Sequence, residues 1–408
     1  MKILVLNAGS SSQKSRLYEI DNSPLVEPAE PLWEADIDWA GTTGKVEVTI
    51  QRGQGQMPVH QSLPVVPQTE LLKQVLSGLW SGPLAVLEKP EEIHVVGHRV
   101  VHGGPHFRQS ALVTPEMKAE IEKYAAFAPE HNAASLAGMQ VISELLPKVA
   151  QVAVFDTAFH SDLPLAAVVY PGPYEWYERG IQRYGFHGIS HQYCAQRTAQ
   201  LLGRSLESLR LITCHLGNGC SLTAIRNGRS IDTTMGFTPL DGLMMGSRSG
   251  SLDPGILVHL LRHQGYTPRQ LDETLHQNSG LKGISGQSAD MRVILQARAE
   301  GHSRAILAFN IYIHRLREYI GAMLAVLGGL DALVFTGGVG EHSSEVRAAA
   351  CETLGFLKLQ LDTYKNAAPD VDQDIAAPGS AVRVLVVQTQ EDWLIARQGW
   401  LLTRSAKK

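Results

Sequence analysis

The chain has 408 residues, a formal net charge of −4, 44% hydrophobic and 19% charged residues, and four cysteines. That length suits two or three domains with a substantial core. The small net charge excludes a protein that holds nucleic acid or an anionic membrane by its overall field, so any anion it binds must be held by local groups.

Residues 3–6 are the only apolar run at the start, too short for a signal-peptide core. The longest apolar stretch, 322–335, is broken by Gly328, Gly329 and Asp331, so no membrane span is expected. Cys194, Cys214, Cys220 and Cys351 form no C-x-x-C pair and fit no common zinc spacing. They read as reduced structural thiols of a cytoplasmic protein.

In chain order, residues 3–6 predict a buried strand, 7–12 a turn of small residues, and 15–20 an antiparallel return strand. Residues 95–101 and 152–155 predict further strands, the second ending at Asp156. The first plan then recurs: a strand at 211–214, a turn at 215–219 and a return strand at 221–225. Asn227-Gly228 predicts a type I′ hairpin into 229–233. Recurrence of one supersecondary unit in each half points to a duplicated domain. Residues 302–327 carry an apolar stripe of Ile306, Phe309, Ile313, Leu316, Ile320, Met323 and Leu327, which predicts a core-facing helix. A strand at 333–335 leads to a third glycine turn at 337–340, and Ser343 or Ser344 can cap a helix running through Ala350. The last strand, 382–387, precedes Glu391, and a closing helix begins near Trp393. Strands alternating with helices, plus hairpins, give an α/β class with mixed sheets.

The polar residues cluster just after strands, where open α/β sheets bind ligands. Glycine and serine turns offer backbone N–H groups and room for phosphates, although neither a Walker A loop nor G-x-G-x-x-G is present. Asp156 and Glu391 are the carboxylate types Mg²⁺ takes together with water and substrate phosphates. Arg99 and Arg248 lie among glycines, and a guanidinium matches a carboxylate or phosphate as a bidentate fork. His187, between Phe186 and Gly188, is a candidate ligand contact, and a lone histidine can equally be structural.

Seven segments, in order, resemble the acetate kinase family over nearly the whole chain. They are Asn7-Ala8-Gly9-Ser10-Ser11-Ser12 with Lys14; Gly97 to Gly104 around Arg99; Val154 to His160 around Asp156; Arg183 to Gly188 around His187; His215-Leu216-Gly217-Asn218-Gly219; Met235 to Leu240 with Gly242 to Gly246; and Phe335 to Glu341. The resemblance implies two duplicated actin-like (ribonuclease H-like) domains with mixed sheets flanked by helices and an interdomain cleft. The implied division is 1–157 with a returning helix at 393–408, and 158–392 as the nucleotide-binding and dimerisation domain of a homodimer.

It further implies reversible Mg²⁺-dependent phosphoryl transfer between ATP and acetate, giving ADP and acetyl phosphate, with Mn²⁺ as a substitute ion. Arg99 would hold the substrate carboxylate, with Val101, Phe186 and Pro239 around its methyl group. Asn7, Ser10, Ser12 and Lys14 would face phosphates. Asn7, Asp156 and Glu391 would organise the metal. Asp156, His187, Asn218 and Arg248 would be catalytic. His215, Gly217, Asn218, Gly219, Asp290, Met291, Arg292, Gly338 and His342 would line the nucleotide site. A carboxylate is already an anion at pH 7, which agrees with cations and donors being found without an acid–base pair.

The chain departs from the family pattern at several positions. Glu130 replaces an apolar residue and is expected to point away from the substrate. Ile189 replaces a threonine, and His342 replaces an asparagine and could narrow the nucleotide pocket. Asp241 and Asp392 replace glutamates, and Gln390 replaces an asparagine. Two other readings compete: a sibling enzyme preferring propionate or butyrate, and a non-catalytic actin-like ATP-binding scaffold, which would have no need of a substrate-carboxylate arginine.

Overall fold

The computed structural model describes residues 1–9, 12–21, 27–39, 44–53, 55–124 and 129–405. Ser10 and the side chain of Glu130 lie outside the described residues. The chain divides into two compact units, 1–161 with 390–408 and 162–389.

Unit 1 is built on strands β1 (Lys2–Ala8), β2 (Ser12–Glu19), β3 (Trp33–Asp38), β4 (Lys45–Arg52), β5 (Val59–Pro64), β6 (Ile93–Val100), β7 (Ala111–Leu112) and β8 (Ala150–Phe155). They form one sheet in the order β5-β4-β3-β2-β1-β6-β8-β7. Strands β1 to β5 pair antiparallel, while β1, β6 and β8 run parallel. Buried parallel strands need apolar residues on both faces, and β1 supplies them. Leu4 and Leu6 join a core with Leu71, Val75, Val141 and Ile142 of helices Gln68–Ser77 and Pro129–Leu145. Alternation turns Ile3 the other way, towards helix Glu391–Ser405. That helix lies close because β6 has a glycine: a Cβ on Gly97 would come within 2.6 Å of Ile395.

Unit 2 repeats the plan with β9 (Arg210–Leu216), β10 (Cys220–Arg226), β11 (Arg229–Thr233), β12 (Ala332–Thr336), β13 (Gln373–Asp374) and β14 (Arg383–Val386), in the order β11-β10-β9-β12-β14-β13. Its first three strands are antiparallel, and β9, β12 and β14 are parallel. So β3-β2-β1-β6-β8 and β11-β10-β9-β12-β14 are one ribonuclease H-like arrangement used twice. Asn227 (φ 54°) and Gly228 (φ 73°) both take the positive φ of a type I′ turn.

Three details differ from the sequence expectation. In helix Ser303–Leu327, Ile306 is exposed, while Ala305, Ala308 and Tyr312 join the buried stripe with the other six predicted residues. Residues 337–340 are not a turn but open the helix Gly337–His342 directly from β12. Gly337 makes this abrupt change by a φ of +75°. Glu391 is not a strand end: it starts the closing helix, two residues before Trp393. Ser343 caps the helix Ser344–Cys351, its hydroxyl accepting from Val346 N–H. Among the described residues no helix is long and apolar enough to cross a membrane.

Candidate active site

Candidate residues gather in both units at the carboxyl ends of the parallel strands. In unit 1, Asn7 comes from β1, Arg99 from β6 and Asp156 from the end of β8. Arg99 is gripped by Asp156, with Nη2 to Oδ2 at 2.6 Å and Nε to the two oxygens at 3.3 and 3.2 Å. Its Nη1 donates to Asn7 Oδ1 at 3.2 Å, and Asn7 Nδ2 donates to Asp392 Oδ1 at 2.7 Å. Asp392 in turn faces Arg16, which is clasped by Glu34 and Asp36 at 2.7 Å each.

A carboxylate as buried as Asp156 must be paired, which explains why it takes the Arg99 fork that the sequence reading reserved for a substrate. Burial pushes the Asp156 carboxyl above its ordinary range, Arg99 pulls it back, and Glu391 adds to the rise. Burial opposes the Arg99 charge, but Asp156, Glu391 and Asp392 outweigh it and hold the guanidinium cationic. One guanidinium therefore serves three carboxylates. Lys14 is exposed on β2 opposite Asn7, and Ser12 is half-buried, its carbonyl accepting from Gly9 N–H at 2.8 Å. Val101 is buried. Among the described residues no group of three or more His, Cys, Asp or Glu could hold a metal by itself. The surplus of oxygen donors around Arg99 suits a hard cation that completes its shell with water and phosphate.

In unit 2, His187 stands at the start of helix Gly188–Leu201 in the left-handed conformation, φ 55°. It stacks on His215 at 4.2 Å between ring centroids. Phe186 is buried and Pro239 half-buried. The Pro239 carbonyl accepts from Arg248 Nη1 at 2.8 Å, and burial lowers the Arg248 pKa from its ordinary value. Gly219 is where these groups converge: a Cβ there would lie 3.4 Å from both Arg248 Nη1 and His187 Cε1.

A cavity of about 630 Å³ opens beside Gly217 and Asn218, within the range typical of small-molecule sites. Asp290, Met291, Arg292, Gly338 and His342 line it too, so Gly217 and His342, 125 positions apart in sequence, share one wall. With His342 in its wall the cavity keeps this volume. Asp290 caps the helix Met291–Ala299 and pairs with Arg292 at 2.6 Å, and this bond lowers its pKa.

Sequence reasoning missed Ser288, Leu295 and Ser343 in the cavity wall. It also missed Glu341, whose Oε1 accepts from Gly337 N–H at 2.8 Å and Thr389 N–H at 3.1 Å. Arg347 is fully buried, and its guanidinium donates to the Gly340 and Glu341 carbonyls at 2.9 and 2.8 Å. Glu341 closes the matching segment Phe335 to Glu341 but was given no role, and Arg347 lies outside every matching segment. Only a buried charge next to the glycine run could have flagged them. Of the departures, Ile189 is buried, and Asp241 Oδ1 accepts from Ser251 at 2.5 Å and from Gly242 N–H at 2.9 Å.

Comparison with known proteins follows the same lines. The family model described as the acetokinase family matches residues 2–397. An acetate kinase of Cyanothece sp. is 58% identical over 405 residues, covering 99% of each chain. An acetate kinase of Gloeobacter violaceus is 59% identical over 404 residues, 98% of this chain and 99% of that one. The crystal structure of Porphyromonas gingivalis acetate kinase superposes with a TM-score of 0.90 at 38% identity, over 98% of this chain and 99% of that chain. A propionate kinase from Francisella tularensis gives 0.88 at 35% identity over the same shares. With a matching family model and close relatives along its whole length, the chain belongs to the acetokinase family.

Proposed function

We propose that the chain catalyses reversible phosphoryl transfer between ATP and acetate, giving ADP and acetyl phosphate. The observation that carries this reading is the convergence on Gly219 of Arg248 and His187, beside a cavity lined by Asn218, Asp290, Gly338 and His342. Full-length likeness to proteins named acetate kinase supports the substrate pair.

The acetate carboxylate is the nucleophile and needs no base at pH 7. Unit 1 carries the acceptor-side groups. Arg99 offers its remaining N–H groups to the carboxylate, and Val101 offers an apolar wall to the methyl. Unit 2 carries the donor-side groups. Asp290, Met291, Arg292, Gly338 and His342 hold the nucleoside, while Gly217, Asn218 and Gly219 present backbone and amide donors to phosphates. Arg248 and His187 stabilise the charge that spreads over the equatorial oxygens of a loose transition state. Asp156 and Glu391, with Asn7, would hold Mg²⁺. That ion, when bound, neutralises phosphate charge and lets one anion approach another. Asn7, Ser12 and Lys14 add donors on the same side of unit 1.

Homodimerisation through unit 2 is part of the same reading. Helix Pro254–His263 buries none of its residues and leaves Ile256, Val258 and Leu261 exposed. Ile306 and Leu307 are exposed on helix Ser303–Leu327. Large exposed apolar residues grouped on one element favour a second copy as their cover. Four buried free thiols support a reducing, cytoplasmic setting.

The test is to incubate the purified protein with Mg-ATP and acetate, propionate or butyrate, and to trap acyl phosphate with hydroxylamine. Hydroxamate from acetate that disappears with EDTA and returns with Mg²⁺ supports the reading. A preference for propionate moves the assignment to the sibling enzyme, a choice that a methylene worth about 1–3 kcal/mol can tip. No product with any acid, despite ATP binding, overturns it in favour of a scaffold. Sedimentation at several concentrations tests the dimer.

A further inference from the structure

In unit 2, the segment 235–251 carries both Pro239 and Arg248, and a carboxylate closes its neck. Asp241 Oδ1 accepts from Ser251 Oγ at 2.5 Å and from Gly242 N–H at 2.9 Å. The backbone joins in: Ser251 N–H donates to the Gly242 carbonyl at 2.9 Å, and Gly242 N–H also reaches Ser251 Oγ at 3.0 Å. Tyr319, on helix Ser303–Leu327, stands behind this junction with its hydroxyl 2.7 Å from Ser251 Oγ. The second Asp241 oxygen lies 3.6 Å from Arg183 Nη1, which gathers the Thr233, Thr234 and Met235 carbonyls at 2.9, 3.1 and 3.0 Å.

The local sequence explains how the arms come so close. Gly242 and Gly250 take φ values of +99° and +71°. A Cβ on Gly250 would come within 2.4 Å of the Leu243 carbonyl oxygen and 2.5 Å of the Gly242 one, so the arms meet backbone to backbone. The hydrogen bonds between them have one direction. An ionised carboxylate only accepts, and a hydroxyl has one hydrogen to give. Ser251 therefore donates to Asp241, and Tyr319 donates to Ser251.

Farther round the loop, backbone groups hold Arg248 from the other side. Ser249 N–H donates to the Leu275 carbonyl at 3.0 Å, and the Ser247 carbonyl accepts from Ser279 N–H at 2.9 Å. These bonds tie the Arg248 backbone to residues 275–279. The guanidinium itself leans on another part of the chain, giving Nη1 to the Pro239 carbonyl at 2.8 Å. Pro239 precedes the neck and Arg248 lies beyond it, so the junction at Asp241, Gly242 and Ser251 sets the separation of the two.

We propose that Asp241, Ser251 and Tyr319 are positioning residues that keep Arg248 and the Pro239 carbonyl in register, so that the guanidinium is aimed before the transferring phosphoryl group arrives. The inference rests on the phosphoryl-transfer reading. A donor fixed in advance stabilises the transition state without reorganising, and a displacement of about 1 Å can cost about 10²-fold in rate. The three side chains act through Arg248, and no proton is transferred. Their loss shows in kcat more than in KM.

Kinetics and spectra together test it. Tyr319→Phe and Ser251→Ala each remove one hydroxyl and leave Asp241 facing Arg183. Tyr319→Phe is expected to lower kcat about 10-fold and Ser251→Ala about 10- to 100-fold, with KM values within about threefold. In an Arg248→Ala background the same two changes are expected to cost less than about twofold, because their route to the chemistry is already gone. A merely structural role predicts the same loss in both backgrounds. In ¹⁵N spectra of the arginine side chains, the signal that vanishes in Arg248→Ala is expected to shift or broaden in Tyr319→Phe and Ser251→Ala. Full kcat in both single variants, an equal loss in the two backgrounds, or an unmoved Arg248 signal overturns the proposal. The spectra need no turnover. A wild-type protein that phosphorylates no acid, yet whose Arg248 signal follows these two hydroxyls, would sink the reaction and leave the positioning standing.

Discussion

Asp156 holds Arg99 at two points, through Nη2 at 2.6 Å and through Nε, and the pair sits at the ends of two parallel strands with Asp156 only 1% exposed. Removing one member of a buried pair leaves a charge without compensation. Asp156→Ala is expected to destabilise the protein by about 3–5 kcal/mol, while the Arg99→Met/Asp156→Leu double variant recovers much of that. Urea unfolding followed by tryptophan fluorescence reads both. A single variant as stable as the parent would show that the pair is not the anchor described.

Arg248→Ala is expected to lower kcat about 10²- to 10³-fold, the usual effect of losing one preorganised donor at a transition state, with the melting temperature little changed. The guanidinium is fixed from behind by the Pro239 carbonyl and reaches the open side of Gly219. Near-normal turnover in a folded variant would remove it from the chemistry.

Gly246→Ala tests the cavity from behind. A Cβ on Gly246 would come within 2.4 Å of Asn218 Oδ1 and 2.9 Å of the Ala289 carbonyl, and both residues line the cavity. The Asn218 side chain must move, so nucleotide affinity is expected to fall about 10-fold or more, the equivalent of one misplaced hydrogen bond. Calorimetric titration with ADP measures it, and unchanged affinity would exclude Asn218 from the nucleotide contact.

His98 gives a pH signature. Burial depresses its pKa to about 3, with a hydrogen bond to Gln151 at 2.9 Å opposing the shift. Between pH 6.5, its ordinary value, and about 3, the unfolded chain binds a proton that the folded chain refuses. Stability therefore falls as pH falls through that window and is unaffected above it. The loss from this group at pH 4.5 is about 3 kcal/mol. His98→Gln is expected to flatten the acid limb of the stability curve by that amount, and an unaltered limb would contradict the assignment.

The sequence made strands and their turns legible because buried parallel strands are short apolar runs with few rivals, as at residues 3–6 and 152–155. The Asn227-Gly228 hairpin was legible because that pair has the one backbone its turn demands. The run at 337–340 was misread as a turn: local glycine content cannot show that Glu341 and Arg347 tie both ends of a helix there. Ile306 was misread because the apolar stripe has alanines beside it, and alanine carries too little hydrophobic signal to mark the buried side. Single site residues such as Asp156 and His187 could be singled out, whereas the hydroxyls behind His187 could not. Ser221, on β10, meets His187, at the start of helix Gly188–Leu201, across 34 positions of sequence, and nothing local marks it.

Unit 1 borrows its last helix, Glu391–Ser405, from beyond the whole of unit 2, and Gly97 is shaped to receive it. On the ribosome this imposes an order of events. Strand β8 emerges about 250 residues before that helix is finished, a delay of roughly 10 to 50 s at ordinary translation speeds. During that interval Ile3, Val95 and Gly97 present a bare apolar sheet face, while residues 162–389 have all the strands they need. The second unit can mature first, and the sheet face of the first stays bare until its last helix arrives.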